Sequence, residues 1–197
     1  MLPFPPHPTY RLGSRVECAR MGIRSAAANP AYRFVGLFAL YLAVITLAYP
    51  WLSQRWIGPL RAITAATAEI EHALLSLLSE EASISENLVQ LGSFGVRIIA
   101  ECTGIFEALI FLAAVLAYPT SWAKKLIGIG FGVPILYAFN LLRILVLIWV
   151  GRYRHDLFDF MHLYFWQATL ILMITSVWML WIFKVVRHEE SGVPAGT

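Results

Sequence analysis

Long apolar runs separated by short polar segments dominate the pattern of this 197-residue chain. Four runs, over about residues 34–52, 103–118, 126–150 and 162–183, approach the roughly 20 apolar residues that a membrane helix needs. At about 1.5 Å per residue only the second run, at roughly 24 Å, falls short of a hydrocarbon core about 30 Å thick. The pattern predicts an all-α membrane protein, a bundle of about four transmembrane helices.

The one substantial polar segment, residues 53–102, lies between the first two runs. Within it, apolar residues recur at helical spacing and predict an amphipathic helix that lies on the membrane face or against the bundle. Glu69, Glu71 and Glu80 fall off this stripe, which consists of Ile63, Ile70, Leu74, Leu77 and Leu78. Further on, the turn sequence 92–95 between the apolar arms 88–91 and 96–100 predicts a small hairpin.

The composition agrees with a membrane location and excludes most soluble classes. Hydrophobic residues make up 59% of the chain and charged residues only 14%, against about 25% charged residues in soluble domains. The net charge of +3 does not indicate a nucleic-acid partner, because the basic residues flank the apolar runs, where orientation signals belong. The lipid bilayer is the partner that this pattern predicts.

The distribution of basic residues predicts how the chain crosses the membrane. We expect a cytoplasmic N-terminal segment (1–33), a transmembrane domain (34–186) with the outer segment 53–102, and a cytoplasmic tail (187–197). The predicted site of residence is the cytoplasmic (inner) membrane. The basic residues assigned to the cytoplasmic side are Arg11, Arg15, Arg20, Arg24, Arg33, Lys124, Lys125, Lys184 and Arg187.

Arg143 stands out because a charged side chain inside an apolar run costs about 2.5–3.5 kcal/mol on insertion scales and commonly marks function. Asn140 precedes it by three residues, so both polar groups share one helical face and can point into the bundle. The alternative is an arginine whose long side chain reaches the outer headgroups.

Two further candidates lie at the predicted outer ends of other runs. Cys102 precedes the short second run, where a helix N-terminus would favour its thiolate, although a cysteine beside an apolar run is, taken alone, more often an inert small hydrophobe. His162 begins the fourth run and suits acid–base chemistry, with a structural role as the alternative and His155 as its nearest competitor. Together, Cys102, Arg143 and His162 supply the nucleophile, the oxyanion stabiliser and the proton shuttle of acyl transfer.

No spacing of metal ligands such as C-x-x-C or H-E-x-x-H occurs in the sequence, so we expect neither a metal nor another cofactor. Cys18 and Cys102 are predicted on opposite sides of the membrane, which argues against a disulfide between them. Glu101 is a candidate ion-pair partner of Arg143 or Arg97.

Three sequence elements, in this order, resemble the exosortase/archaeosortase family of membrane-embedded cysteine transpeptidases. They are Glu101-Cys102-Thr103-Gly104, Asn140-Leu141-Leu142-Arg143, and His162 at the head of a span. The likeness covers roughly residues 88–183, and the chain resembles a compact form with about half the usual number of spans. The resemblance implies that Cys102, Arg143 and His162 are catalytic, while Asn140, Glu101 and Thr103 are candidates for supporting or substrate-binding roles.

The resemblance also implies the substrates, which are exported proteins that carry a short C-terminal motif, one transmembrane helix and a basic tail. Cleavage through a thioester on Cys102 and transfer to a surface acceptor is then the expected reaction. Two alternatives stay open from the residues alone. One is a non-enzymatic assembly factor or transporter subunit in which Arg143 and Asn140 bond between helices, and the other is a membrane enzyme that acts on lipid-linked substrates. The oligomeric state is open as well.

Overall fold

The computed structural model of the protein describes residues 29–79 and 81–187. The expectations for most of the N-terminal segment, for Cys18, for Glu80 and for nearly all of the tail lie outside these residues. Within the described residues, all long elements are helices, and the expected all-α membrane class is confirmed.

Three long helices are apolar enough to cross a membrane. Helix α1 spans Pro30–Arg55 and begins where the Asn29 side chain accepts a hydrogen bond from the backbone N–H of Ala31 (2.9 Å). After α2 (Ile57–Ser76) and the short α3 (Ile105–Ala117), helix α4 spans Trp122–Tyr153, and the last helix runs continuously over His155–Val186. That last helix consists of α5 (His155–Phe160), a π-helical turn (Met161–Phe165), α6 (Trp166–Trp181) and a second π-helical turn (Ile182–Val186).

The second predicted span is a shorter apolar helix, α3, over Ile105–Ala117. Its 13 residues extend about 20 Å, which is less than the hydrocarbon core. The described part of the chain therefore has three helices that are both long and apolar enough to span a membrane, and one shorter apolar helix packed among them. The last helix also starts earlier than predicted, so His162 lies inside it rather than at its head.

Between α1 and α3 the chain forms a cap, which consists of helix α2 (Ile57–Ser76) and a three-stranded antiparallel sheet. The predicted hairpin is β2 (Leu88–Leu91) and β3 (Phe94–Arg97), with a register that pairs Leu91 with Phe94. Its second arm begins two residues earlier than predicted. The sequence interpretation missed a third strand, β1 (Ala82–Ser85). Its sequence, Ala-Ser-Ile-Ser, contains a single large apolar side chain and therefore gives a weak hydrophobic signal.

The cap is fixed to the C-terminal half of α4 by one apolar core. Its buried members are Ala68, Leu75, Val89, Leu91, Ile98, Ile144 and Ile148. Full burial of a Leu, Ile or Val side chain from water contributes about 1.5–3 kcal/mol, so this core anchors the strand that leads towards Cys102.

The predicted apolar stripe of α2 does not face the bundle, which was one of its two predicted positions, and the other position, on the membrane face, stays a prediction. Ile63, Ile70, Leu77 and Leu78 are exposed in the structure, and Leu77 retains 83% of its surface. The buried face carries Thr64, Thr67, Ala68, Glu71 and Leu75. The small residues on this face allow close packing against the neighbouring elements. The hydroxyls of Thr64 and Thr67 donate to the carbonyls of Leu60 and Ile63 (2.8 Å each), so both buried hydroxyls have a hydrogen-bond partner.

Candidate active site

Strand β3 delivers the chain to Cys102 through a short turn. Ile98 is buried, and its backbone N–H donates to the carbonyl of Asn87 (2.8 Å). A single 3₁₀ turn over Ala100–Cys102 follows, in which the N–H of Cys102 donates to the carbonyl of Ile99 (2.9 Å). Cys102 is half-buried and lies before α3, so the expectation that it occupies the N-terminus of that helix is corrected.

Gly104 explains why the helix begins after the cysteine. Its φ of +76° is in the left-handed region, which disfavours other residues, and it separates the turn from the first residue of α3. A Cβ atom at this position would also lie 3.2 Å from the side-chain carbons of Asn140. Glycine therefore permits both the turn and the close approach of the Cys102 segment to α4.

Asn140 holds that segment from the side of α4. The residue is buried, and its Nδ2 donates a short hydrogen bond to the carbonyl oxygen of Cys102. Thr103, also buried, donates from its Oγ1 to the carbonyl of Ala100 (2.6 Å) and closes the turn. Both side chains thus bind the backbone around the thiol, whereas Glu101 is exposed at the rim.

Cys102, Arg143 and His162 line one small cavity of about 30 Å³. The three residues come from the 3₁₀ turn, from α4 and from the π-helical turn of the last helix. The remaining lining is mostly apolar and includes Val96, Ile98 and Phe158. A volume of this size holds about one water molecule, so the cavity has to widen before a peptide can enter it.

His162 is oriented by an aromatic contact. Its ring stacks on Phe158 at 5.6 Å between centroids with an interplanar angle of 5°. Its Nδ1 atom is buried and has no hydrogen-bond partner within residues 29–79 and 81–187. The atom is therefore available to form a hydrogen bond with a bound substrate. The competitor His155 contacts Phe94 and Phe158 and does not line the cavity.

Arg143 pairs with a residue that the sequence interpretation missed. The Nη1 atom of Arg143 lies 4.0 Å from Oε1 of Glu107 on α3, and their side chains are only 13% and 15% exposed. An acidic residue inside an apolar helix follows the same rule that singled out Arg143, so the signal was present in the sequence. The suggested pairing of Glu101 with Arg97 is not formed, since Arg97 donates to Oδ1 of Asn87 (3.1 Å).

A second, larger cavity of about 330 Å³ is also lined by Arg143. Its polar lining is Glu101, Glu107, Arg143 and Gln167. It shares Ile110, Ile171 and Ile174 with an apolar groove of about 310 Å³, which is bounded by α1, α3 and α6. No cluster of three metal-ligating side chains is found in the described parts of the chain.

These features define a helical membrane protein that holds a thiol, a guanidinium and an imidazole around one cavity. The model of the family described as "Transmembrane exosortase" matches residues 16–183, which is most of the chain. The chain therefore belongs to the transmembrane exosortase family, and the resemblance indicated by its motifs is confirmed. No curated protein and no solved structure matches it.

Proposed function

We propose that the protein is a membrane cysteine peptidase and transpeptidase that removes C-terminal sorting signals from exported proteins. The observation that carries this proposal is the convergence of Cys102, Arg143 and His162, from three separate elements, on one cavity. A nucleophile, an oxyanion stabiliser and a proton shuttle are the groups that acyl transfer needs. Membership of the transmembrane exosortase family supports the same class of reaction.

In the proposed reaction the thiolate of Cys102 attacks the scissile carbonyl carbon. Arg143 stabilises the negative charge that develops on the carbonyl oxygen, and His162 gives a proton to the departing amine as the peptide C–N bond breaks. The product is a thioester between Cys102 and the new C-terminus of the substrate. An acceptor amine, or water, then attacks the thioester carbonyl and loses a proton to His162, and the C–S bond breaks to release the product and the Cys102 thiolate.

The surroundings support this division of roles. Asn140 and Gly104 hold the backbone of Cys102 against α4, which fixes the turn that carries the nucleophile to a long helix. Arg143 lines both cavities, so a substrate carbonyl that enters from the larger one passes its guanidinium. The apolar groove that continues from the larger cavity offers a path for the transmembrane helix of the substrate.

We further propose that the cap and the site lie on the extracytoplasmic side of the inner membrane, with both termini in the cytoplasm. The distribution of Lys and Arg supports this orientation, because Lys124 and Lys125 stand at the end of α4 opposite to the cap. In this arrangement an exported protein reaches Cys102 after its main body has crossed the membrane.

The experiment that tests the proposal compares two cysteine variants of the full-length protein. Cys102→Ala removes the nucleophile, so an exported protein with a C-terminal motif, apolar helix and basic tail should accumulate uncleaved, with at least a 100-fold loss of processing. Cys18→Ala is the matched control and should process normally. Normal processing by a membrane-inserted Cys102→Ala variant would refute the cysteine mechanism and favour a non-enzymatic role or another chemistry.

A further inference from the structure

Arg143 lines two cavities whose other polar residues differ. It shares the smaller cavity with Cys102 and His162, and the larger one with Glu107, Glu101 and Gln167. A group that holds the guanidinium can therefore act on the site of the thiol through the charge of Arg143.

Glu107 is the group that holds the guanidinium. The separation of 4.0 Å and the low exposure of both side chains make this an ion pair in a mostly apolar environment, where solvent screens it weakly. Within the described residues, Oε2 of Glu107 and Nε of Arg143 are buried without a hydrogen-bond partner. The pair is thus incompletely satisfied, and Arg143 keeps a donor for another acceptor.

The other charged groups near this pair are few. Glu101 is exposed on the turn before α3, and the last helix contributes His162 and the exposed Asp159. The charged residues of helix α1, Arg33 and Arg55, lie near its ends, and the residue that meets the start of α3 is Tyr49, whose ring contacts Phe106 (4.1 Å between centroids). Of the three carboxylates in this region, Glu107 is therefore less exposed than Glu101 and Asp159, and it is the one that forms an ion pair with Arg143.

We propose that Glu107 is a positioning residue that holds Arg143 and sets the electrostatic balance of the cavity shared by Cys102 and His162. The carboxylate offsets the guanidinium charge while the site is empty, and it fixes Arg143 where a substrate oxyanion can receive its free donor. This proposal rests on the proposed function for the role of Arg143. Its effect on the thiol is measurable without any substrate.

The test measures the rate at which iodoacetamide alkylates Cys102 as a function of pH, in a Cys18→Ser background that leaves a single thiol. Glu107→Gln is isosteric and leaves the charge of Arg143 uncompensated. The rate at pH 7 should rise about three- to tenfold, and the pH profile should shift to lower pH. Glu107→Asp keeps the charge, so its profile should stay close to that of the parent protein.

Glu101→Gln is the matched control, because it removes an exposed carboxylate next to the thiol in sequence and should move the profile less. An unchanged profile in Glu107→Gln, or an equal shift in Glu101→Gln, would overturn the proposal. If Glu107→Gln is not recovered in the membrane, the double variant Glu107→Gln/Arg143→Gln should be, because it removes both charges of the pair. Failure to recover the double variant would also contradict the pairing.

The two proposals fail in different ways. A normal rate of signal cleavage in Cys102→Ala refutes the enzyme proposal but leaves the alkylation result valid. Conversely, a parent-like profile in Glu107→Gln refutes the positioning role and leaves the enzyme proposal standing. In Glu107→Gln the enzyme proposal adds one expectation, a lower rate of processing despite faster alkylation, since Arg143 is no longer held for the oxyanion.

Discussion

Asn140 and Gly104 hold the backbone of Cys102, and neither contributes a reacting group. The amide of Asn140 binds the carbonyl of Cys102, while the missing side chain at residue 104 lets the two segments approach closely. The thiol thus gains a fixed position although it belongs to a turn rather than to a regular helix. The same logic applies to Arg143, which is held by Glu107 rather than by a neighbour on its own helix.

The variant Asn140→Leu tests the hydrogen bond with little change in volume. Leucine has no donor, so the carbonyl oxygen of Cys102 loses its side-chain partner. We expect a loss of about 1–3 kcal/mol in the free energy of unfolding and at least a tenfold loss of processing. Thermal unfolding in detergent and a cleavage assay measure the two effects. Parent-like values for both would show that the bond does not position Cys102.

The sequence identified some of these residues for a physical reason. Arg143 stands out in the sequence because a charge in an apolar run is costly, and Glu107 meets the same criterion. The partner of Asn140 could not be read from the sequence, since donor and acceptor are 38 residues apart and the contact depends on how α4 packs against the turn. Local patterns give residue chemistry, whereas partners require the tertiary structure.

At the scale of elements, helix α2 turns a face of small and polar residues, rather than its apolar stripe, towards the rest of the protein. The exposed stripe of Ile63, Ile70 and Leu77 is more apolar than the buried face, yet the cap buries Ala68 and Glu71 instead. Both carboxylate oxygens of Glu71 lack a hydrogen-bond partner among the described residues. Burial raises the pKa of Glu71 from 4.5 to about 8, so the proton is retained in the folded cap at neutral pH.

Glu71 should make the cap less stable as the pH rises. Below about pH 4.5 the carboxyl is neutral in both states, and between 4.5 and 8 the unfolded chain releases the proton that the folded cap retains. The free energy of unfolding should therefore fall by roughly 3 kcal/mol between pH 4.5 and pH 7, and reach a plateau above about pH 8. Glu71→Gln should remove this slope, which proteolysis of the cap across this pH range would measure.

Glu69→Gln is the matched control for that experiment, because Glu69 lies on the same helix but is exposed. It should leave the slope of the parent protein intact. A slope that persists in Glu71→Gln, or disappears in Glu69→Gln, would contradict the assignment of the effect to the buried carboxyl.

At the scale of the whole molecule, the apolar runs predicted the helices well because length and composition alone decide which segments enter a bilayer. They did not predict that α3 has only 13 residues, because the N-terminal end of this helix depends on the positive φ of Gly104. The hairpin was predicted from its turn, whereas β1 required its pairing with β2 to be recognised. The cavity shared by Cys102, Arg143 and His162 was expected from the chemistry of these side chains together with the predicted topology. No single motif would have been sufficient to predict that the three residues meet.

The most direct measurement is mass spectrometry of the protein trapped by acid during turnover of an exported substrate. The proposed mechanism predicts a peptide containing Cys102 that carries the new C-terminus of the substrate through a thioester, which hydroxylamine releases. The species should be absent from Cys102→Ala and present in Cys18→Ala. Continued cleavage with no such adduct, or with the substrate fragment attached to another residue, would contradict Cys102 as the nucleophile.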